Sequence, residues 1–340
     1  MIKIYSSNRE FLVLLDAYKD AYTTETLSTG QKTLCFKVPC VEEMFNYIQE
    51  ENYVETPDYS YVIKEINMDD NEFIEVYCSA NIEPVKGHLF MTFDCYQLSV
   101  QQAYEYCLSK SPSWKVEYHS SRRDITTYQV PNVFGFDMIQ QIAEDYQQEF
   151  WFDTKNHILK VYDKMGKDFG AYFSNELKMR QLIKQSSTYD YATVLYPIGK
   201  NGLTIGIVND GKNYLENYNY SNKQIEKLFI DEDCEVAEIL KAKAEAYFDE
   251  INMPKTSYQV KLTDIGENVE LGDTIILVDK IKKIKQKQRV VSITRYLKTP
   301  EDSEVEISNL QTNFARDFVK SQKKLREEIR YIRQLLETTE

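Results

Sequence analysis

Hydrophobic positions recur along this chain with two different periods, and the changes of period divide it. Up to about residue 95 the period is two. Leu34-Cys-Phe-Lys-Val38 runs into Pro39, and the runs 59–66 and 72–78 flank the polar stretch Asn67-Met-Asp-Asp-Asn71. Two β-rich runs around a short polar turn predict a hairpin, and several such strands in series predict a barrel or sandwich. Near residue 98 the pattern changes. Ser99 can cap a helix from Val100 to about Leu108 that puts Ala103, Tyr104 and Cys107 on one face. Ser111-Pro112-Ser113 ends it, and 114–118 alternates like a strand. A second helix is predicted from about Phe136, with Met138, Ile139, Ile142, Ala143 and Tyr146 on one stripe. Residues 149–152 and 158–162 read as a hairpin around Asp153-Thr-Lys-Asn156.

Strand patterning returns at 192–196 and 203–208, on either side of Pro197-Ile-Gly-Lys-Asn-Gly202, which suits a tight turn. The Asn- and Tyr-rich stretch 209–222 reads as loop or edge segment. Asp233 precedes a helix in which Val236, Ile239, Leu240, Ala244, Tyr247 and Phe248 repeat at helical spacing, with Pro254 beyond its end. Strands are expected again at 257–262, 271–278, 289–297 and 304–308. The last segment, 309–338, has no Gly and no Pro. Ala315, Phe318, Gln322, Leu325, Ile329, Ile332 and Leu336 step by alternating intervals of three and four, a heptad seam. Ile at the successive seam positions 329 and 332 shifts the preference from two strands toward three or more. Phe318, Leu325, Ile329, Ile332 and Leu336 are thus the candidate oligomer seam. The seam is short and Gln322 interrupts it, so a terminal helix folded back on its own domain stands as an equal reading.

Length adds a bound: 340 residues suggest two or three domains, and 42% apolar residues allow a sizeable core. There are 26 Tyr against 2 Trp, a ring with a polar tip suited to half-buried strands and interfaces. The net charge of -13 argues against tracking along a nucleic acid backbone. The one basic run, from Lys280 to Arg289, reads as a solvated hairpin tip. Residues 1–20 carry Lys3, Arg9, Glu10 and Asp16 and lack a signal-type apolar core, and no run reaches the length of a membrane span. Cys35, Cys40, Cys78, Cys95, Cys107 and Cys234 form no CxxC pair and are expected to be buried thiols. A soluble protein made in a reducing cytoplasm is expected.

The search for chemistry yields no catalytic, cofactor-binding or metal-binding residue. His88, His119 and His157 stand far apart, outside any HExxH or HxH setting. No GxSxG elbow or phosphate-binding GxxxxGK[ST] loop occurs, and Gly199-Lys-Asn-Gly202 lacks the hydroxyl after its Lys. Asp69-Asp70, Glu42-Glu43 and Asp231-Glu232-Asp233 sit at predicted turns or helix starts, where acids cap and solvate. Cys95 or Cys107 could pair with His119, but nothing points to an activated thiolate.

Three stretches in order carry a resemblance: Asp190-Tyr-Ala-Thr-Val-Leu-Tyr-Pro-Ile-Gly-Lys-Asn-Gly202, Leu271-Gly-Asp-Thr-Ile275, and Arg289-Val-Val-Ser-Ile-Thr-Arg-Tyr-Leu297 followed by Pro300. The chain resembles, over nearly its whole length, the hub family of phage tail tips, labelled prophage tail protein or tail endopeptidase. It is similar to tail-associated proteins of siphophages of low-GC Gram-positive bacteria and, by architecture, to the baseplate hubs of contractile-tailed phages. The resemblance implies an α+β fold with two similar β-barrel-like domains, 1–95 and 186–308, the latter built from strands at 186–208 and 256–308. A mixed α/β region, 96–185 joined by 209–255, would be inserted between them, with a C-terminal helix at 309–340. Three copies would close a ring whose six barrels imitate the six-fold symmetry of a tail tube. The implied partners are further copies of the chain as a homotrimer, a tail-tube or distal tail protein, and a tip fibre or lysin protein, in the tail tip of a virion. Family members often continue into a cell-wall hydrolase or fibre domain, whereas here no catalytic residue matches. A non-enzymatic hub is therefore the leading expectation. A peptidoglycan-cleaving endopeptidase is the alternative, and a receptor- or carbohydrate-binding module is a third reading, suggested by the Tyr content.

Overall fold

A computed structural model describes residues 2–68, 72–174, 179–232, 234–262, 269–279 and 284–308. The candidate seam residues Phe318, Leu325, Ile329, Ile332 and Leu336 lie outside the described residues, as do Asp69, Asp70 and Lys280. The chain forms two compact units, one from Met1–Leu182 and Gln259–Ile307, the other including Ile183–Tyr258.

The first unit opens with β1 (Ile2–Tyr5), β2 (Phe11–Leu15), β3 (Lys19–Thr26), β4 (Gln31–Pro39), β5 (Tyr53–Glu55), β6 (Ser60–Met68) and β7 (Phe73–Ala80). Period-two patterning produces them. In β7 every second residue, Ile74, Val76, Cys78 and Ala80, is buried, and the residues between are not. A short helix α1 (Glu83–Lys86) leads to β8 (Leu89–Ser99), α2 (Val100–Cys107), β9 (Lys115–Tyr118), β10 (Ile125–Phe134) and α3 (Gly135–Asp145). Helix α2 starts where expected. The Ser99 hydroxyl accepts the Gln102 N–H at 3.2 Å, and the Gln102 carboxamide accepts the Ser99 N–H at 2.9 Å. The apolar stripe of α3 buries Met138, Ile139, Ile142 and Ala143. The expected hairpin is β11 (Glu149–Asp153) with β12 (Ile158–Tyr162), and β9 adds to it in parallel.

The remaining strands are β13 (Asp168–Ser174), β14 (Met179–Ser187), β15 (Val194–Gly199), β16 (Leu215–Glu216) and β17 (Glu226–Asp231). After α4 (Ala237–Ile251) come β18 (Lys255–Leu262), β19 (Thr274–Asp279), β20 (Ile284–Tyr296) and β21 (Glu304–Ser308). Among the described residues thirteen strands join one sheet in the order β14-β18-β21-β20-β3-β4-β7-β6-β5-β1-β2, with β19 also beside β20 and β13 beside β19. The molecule is mainly β with several sheets, and none closes on itself among the described residues. The late strand β20 pairs antiparallel with the early strand β3, from Ser292 opposite Thr26 to Tyr296 opposite Tyr22. Across that pairing the Thr24 and Thr294 hydroxyls lie 3.2 Å apart, and the Tyr22 and Tyr296 rings pack at 5.4 Å.

In the second unit β15 pairs parallel with β17 and antiparallel with β16. Helix α4 covers one face of this sheet, with Leu195 packed on Ala244, Phe248 and Ile251. The strand expected at 203–208 does not form. Asn201 and Gly202 adopt left-handed backbone, and the chain instead turns through 3-10 helix at Gly206–Val208. The Asn209 carboxamide holds this loop by donating to the carbonyls of Lys212 and Tyr214. The partner of β15 is the distant strand β17. Five of the six cysteines are buried free thiols as expected, whereas Cys40 is exposed just after the end of β4.

Candidate functional site

Two of the stretches singled out in the sequence meet in the first unit. Leu271-Gly272-Asp273 makes the turn into β19, and Arg289 lies on β20 beside it. The Gly272 N–H donates to the Val290 carbonyl at 2.9 Å, and the Val290 N–H donates to the Asp273 carbonyl at 2.8 Å. From there the Arg289 guanidinium reaches out of the sheet. Its Nη1 and Nη2 donate to Glu149 Oε1 and Oε2 at 2.6 and 3.0 Å, a two-pronged ion pair. The same guanidinium donates to the carbonyls of Gly272 at 3.1 Å and Met165 at 3.0 Å. Glu149 Oε2 also accepts the Met165 N–H at 2.7 Å. Only 12% of the Arg289 side chain and 20% of the Glu149 side chain is exposed, so water competes weakly for this pair.

Asp273, 1% exposed, makes the second half of the clamp. Its carboxylate accepts the Lys167 N–H at 2.7 Å and the Glu270 N–H at 2.8 Å. The chain 165–167 is thereby held against the turn 270–273, and Thr274 N–H closes the contact on the Lys167 carbonyl at 2.9 Å. Two glycines permit the approach. Gly166 and Gly272 have φ of 76° and 86°. A Cβ on Gly166 would overlap the Gly272 backbone, and one on Gly272 would stand 2.7 Å from the Met165 carbonyl oxygen. Lys287, from the basic run, pairs with Asp168 at the rim of this joint.

A polar chain continues from Gln148, the neighbour of Glu149. The Tyr104 hydroxyl on α2 donates to Gln148 Oε1 at 3.1 Å, and Gln148 Nε2 donates to the Ser120 hydroxyl at 2.6 Å. Ser120 accepts there and from the Arg122 N–H, and donates its own proton to Asp163. One donor and two acceptor sites on the hydroxyl are thus used. The Ser120 hydroxyl, followed by the hydroxyl and N–H of Ser121, holds the Asp163 carboxyl below the usual carboxylate range.

Glu149, Asp163 and Asp273 each accept hydrogen bonds from two or more protein donors, an arrangement that fixes the geometry of the joint. The residues considered for catalysis stay apart. Cys95 and Cys107 are buried, and burial pushes both thiols up, away from the thiolate. His119 lies half-exposed on the strand end, stacked on Tyr162 at 5.0 Å and 3.6 Å from a Glu117 oxygen. His157 packs on Trp114 at 5.4 Å. Among the described residues no three His, Cys, Asp or Glu side chains gather as metal ligands, and no helix is long and apolar enough to cross a membrane. Gly199–Gly202 serves as a turn: the Gly199 N–H donates to the Leu203 carbonyl at 2.8 Å, and Lys200 pairs with Glu235.

Sequence reading found the Leu271–Ile275 and Arg289–Leu297 stretches but missed Glu149, Met165-Gly166-Lys167 and Asp163. Only Gly166, followed by Lys167-Asp168, signalled a turn near them, and one such glycine beside polar residues is common in any chain.

Comparison with known proteins places this geometry. Residues 2–80 match a family model described as prophage endopeptidase tail N-terminal domain, and residues 167–317 match one described as prophage endopeptidase tail. No curated protein sequence matches the chain. Among solved structures, the prophage tail protein gp18 of Listeria monocytogenes EGD-e superposes with a TM-score of 0.66 at 15% identity, over 96% of this chain and 99% of that one. The 43 kDa tail protein of prophage MuSo2 from Shewanella oneidensis gives 0.65 at 10% identity, over 90% and 97%. The E. coli c3393 protein, a type VI secretion component described as similar to the T4 tail proteins gp27 and gp5, gives 0.51 at 11% identity, over 92% and 77%. At these identities the likeness is one of fold.

Proposed function

Because the chain belongs to the prophage endopeptidase tail family, we propose that it acts as the non-enzymatic hub of a phage tail tip, three copies closing a ring that joins the tail tube to distal fibre or lysin proteins. By family and by fold it is like phage tail and baseplate proteins. In this reading each copy supplies two β-barrel-like blocks, 1–95 and 186–308, with 96–185 and 209–255 as the mixed part between them. A trimer then offers six similar blocks to a hexameric tube. The partners are a tail-tube or distal tail protein on one side and the tip fibre or lysin on the other, and the place of action is the virion.

The observation that carries this reading is the pairing of β20 with β3. The two segments matched by the family models are edge to edge in one sheet, and the Arg289–Glu149 clamp ties the late strands to the middle of the chain. A connector whose early and late strands share one sheet suits a joining ring. Mass photometry or sedimentation of the purified chain is expected to give a trimer, and a monomer at micromolar concentration would overturn the ring. The family description favours one other reading, a tail endopeptidase acting on peptidoglycan. Purified protein would then solubilise Gram-positive cell walls, and intact walls after prolonged incubation would end that alternative.

A further inference from the structure

Two tight turns of the first unit line a cleft of about 350 Å³. One, 56–59, leads from β5 into β6, and the other, 154–157, joins β11 to β12. Strand alternation in β11 buries Phe150 and Phe152 and leaves Trp151 and Asp153 half-buried on its other face. Trp151 lines the cleft with its ring 6.1 Å from that of Tyr59. The protein itself fixes both turns. The Thr56 hydroxyl accepts the Tyr59 N–H at 3.2 Å and donates to Asp58 Oδ1 at 2.9 Å. Asp153 accepts the Asn156 N–H at 3.1 Å, and the buried Thr154 hydroxyl accepts the Ser60 N–H at 2.8 Å. Lys155 reaches across to Glu55 at 2.8 Å, and Lys32 holds Asp58 at 2.6 Å. A pre-formed hollow with a few placed polar groups beside aromatic rings is the usual form of a small-molecule cleft, of roughly 300 to 1,000 Å³.

We infer that this cleft binds a neutral pyranose unit of a glycan, its ring against Trp151 and its hydroxyls shared among Asp58, Lys155 and Asn156. Three observations select this chemistry. The lining charges cancel, with Lys32 and Lys155 set against Asp58 and Asp153, so an anion or a cation would meet as much repulsion as attraction. The rim offers donors and acceptors side by side. Asp58 and Lys155 leave 62% and 39% of their side chains exposed and keep bonding capacity beyond their partners in the protein. A sugar hydroxyl donates and accepts at once and suits such a rim. Finally, Trp151 supplies what the C–H face of a sugar ring needs, an apolar plane with a polar tip. Among the described residues its indole N–H meets no protein acceptor and is left to donate to a ligand or to water. The inference is independent of the proposed ring and of any cleavage of cell walls.

The test uses the full chain labelled with 5-fluorotryptophan, which gives two fluorine signals because Trp114 and Trp151 are its only tryptophans. Trp151→Phe or Trp114→Phe assigns them. The probes are chitotetraose, an acetamido sugar chain, and cellotetraose, a plain hexose chain. The Trp151 signal is expected to move saturably at millimolar probe while that of the buried Trp114 stays. Movement with chitotetraose alone assigns an acetamido sugar, and movement with both assigns the bare pyranose ring. A Trp151 signal that neither probe moves would overturn the inference, as would tighter binding of the charged tetragalacturonate. Calorimetry supplies a second measurement. Trp151→Ala is expected to weaken binding about tenfold or more. Lys155→Ala, at an exposed turn position, is expected to weaken it about threefold. Equal affinity in Lys155→Ala and parent would overturn the placement in this cleft even if Trp151→Ala fails to fold.

Discussion

The unit containing Met1–Leu182 and the unit containing Ile183–Tyr258 reach stability by unequal means. The first buries Tyr61, Tyr104, Phe36, Phe93 and Phe152 almost completely and adds the clamp of Arg289, Glu149 and Asp273. Among the described residues the second shows two small clusters, Ala192, Leu195, Ala244, Phe248 and Ile251 in one, Ile205, Cys234 and Leu240 in the other. Stabilisation grows with the apolar area removed from water, so among the described residues the larger interior can absorb losses that the smaller cannot. The difference teaches that size of core and precision of backbone contact are separate resources. The first unit has both, and its most sensitive points are in the backbone contact.

The largest effect is expected at that contact. Gly166→Val places a branched side chain at positive φ and into the Gly272 backbone. It should cost more than about 4 kcal/mol and yield insoluble or unfolded protein on gel filtration. A soluble, cooperative variant would show that the clamp is looser than described. Next comes Phe248→Ala, at about 3 to 4 kcal/mol. Amide protection should fall across Ile183–Tyr258 and persist in β4, β6 and β7. Loss of protection in those strands as well would break the contrast between the units.

Arg289→Met removes one partner of a mostly buried ion pair and leaves Glu149 with the Met165 N–H alone. The expected cost is about 2 to 3 kcal/mol by denaturant titration. Adding Glu149→Gln should recover part of it, and strict additivity would show that the two groups do not cooperate. The smallest effect is at Asp163, which is exposed. Its folded pKa lies below its unfolded value, so its contribution is present above about pH 4 and disappears as pH falls through the folded value. Asp163→Asn should lose under about 1 kcal/mol at pH 7, and the gap to the parent should close toward pH 2. A gap that widens in acid would contradict the hydrogen bonding of Ser120 and Ser121.

Helices α2, α3 and α4 were legible because each announces itself locally, whereas the short α1 was not foreseen. Ser99 and Gln102 close a capping box three residues apart, and α3 and α4 show their stripes in a single window. The hairpin β11–β12 was legible for the same reason. The ribbon of β8 and β10 was not. Leu89, Met91 and Tyr96 stand exposed on β8, and β10 holds Pro131 and Asn132, which read as breakers. The strand expected at 203–208 failed because local turn chemistry promised a hairpin, whereas β15 found its partner beyond residue 225. The clamp was half legible. The turn at Gly272 and the strand at Arg289 carry recognisable patterns, but Glu149 looks like any strand-start acid until the fold brings it 140 residues along the chain to Arg289.

The neighbours Thr24 and Thr294 are separated by 270 positions. At typical elongation speeds a ribosome needs roughly 15 to 50 s to make that length. For that interval β3 emerges with its outer backbone N–H and C=O groups unclaimed, an edge that can recruit any passing strand. A nascent chain of this kind invites aggregation during overexpression, and slower translation or a holding chaperone should raise the yield of native protein.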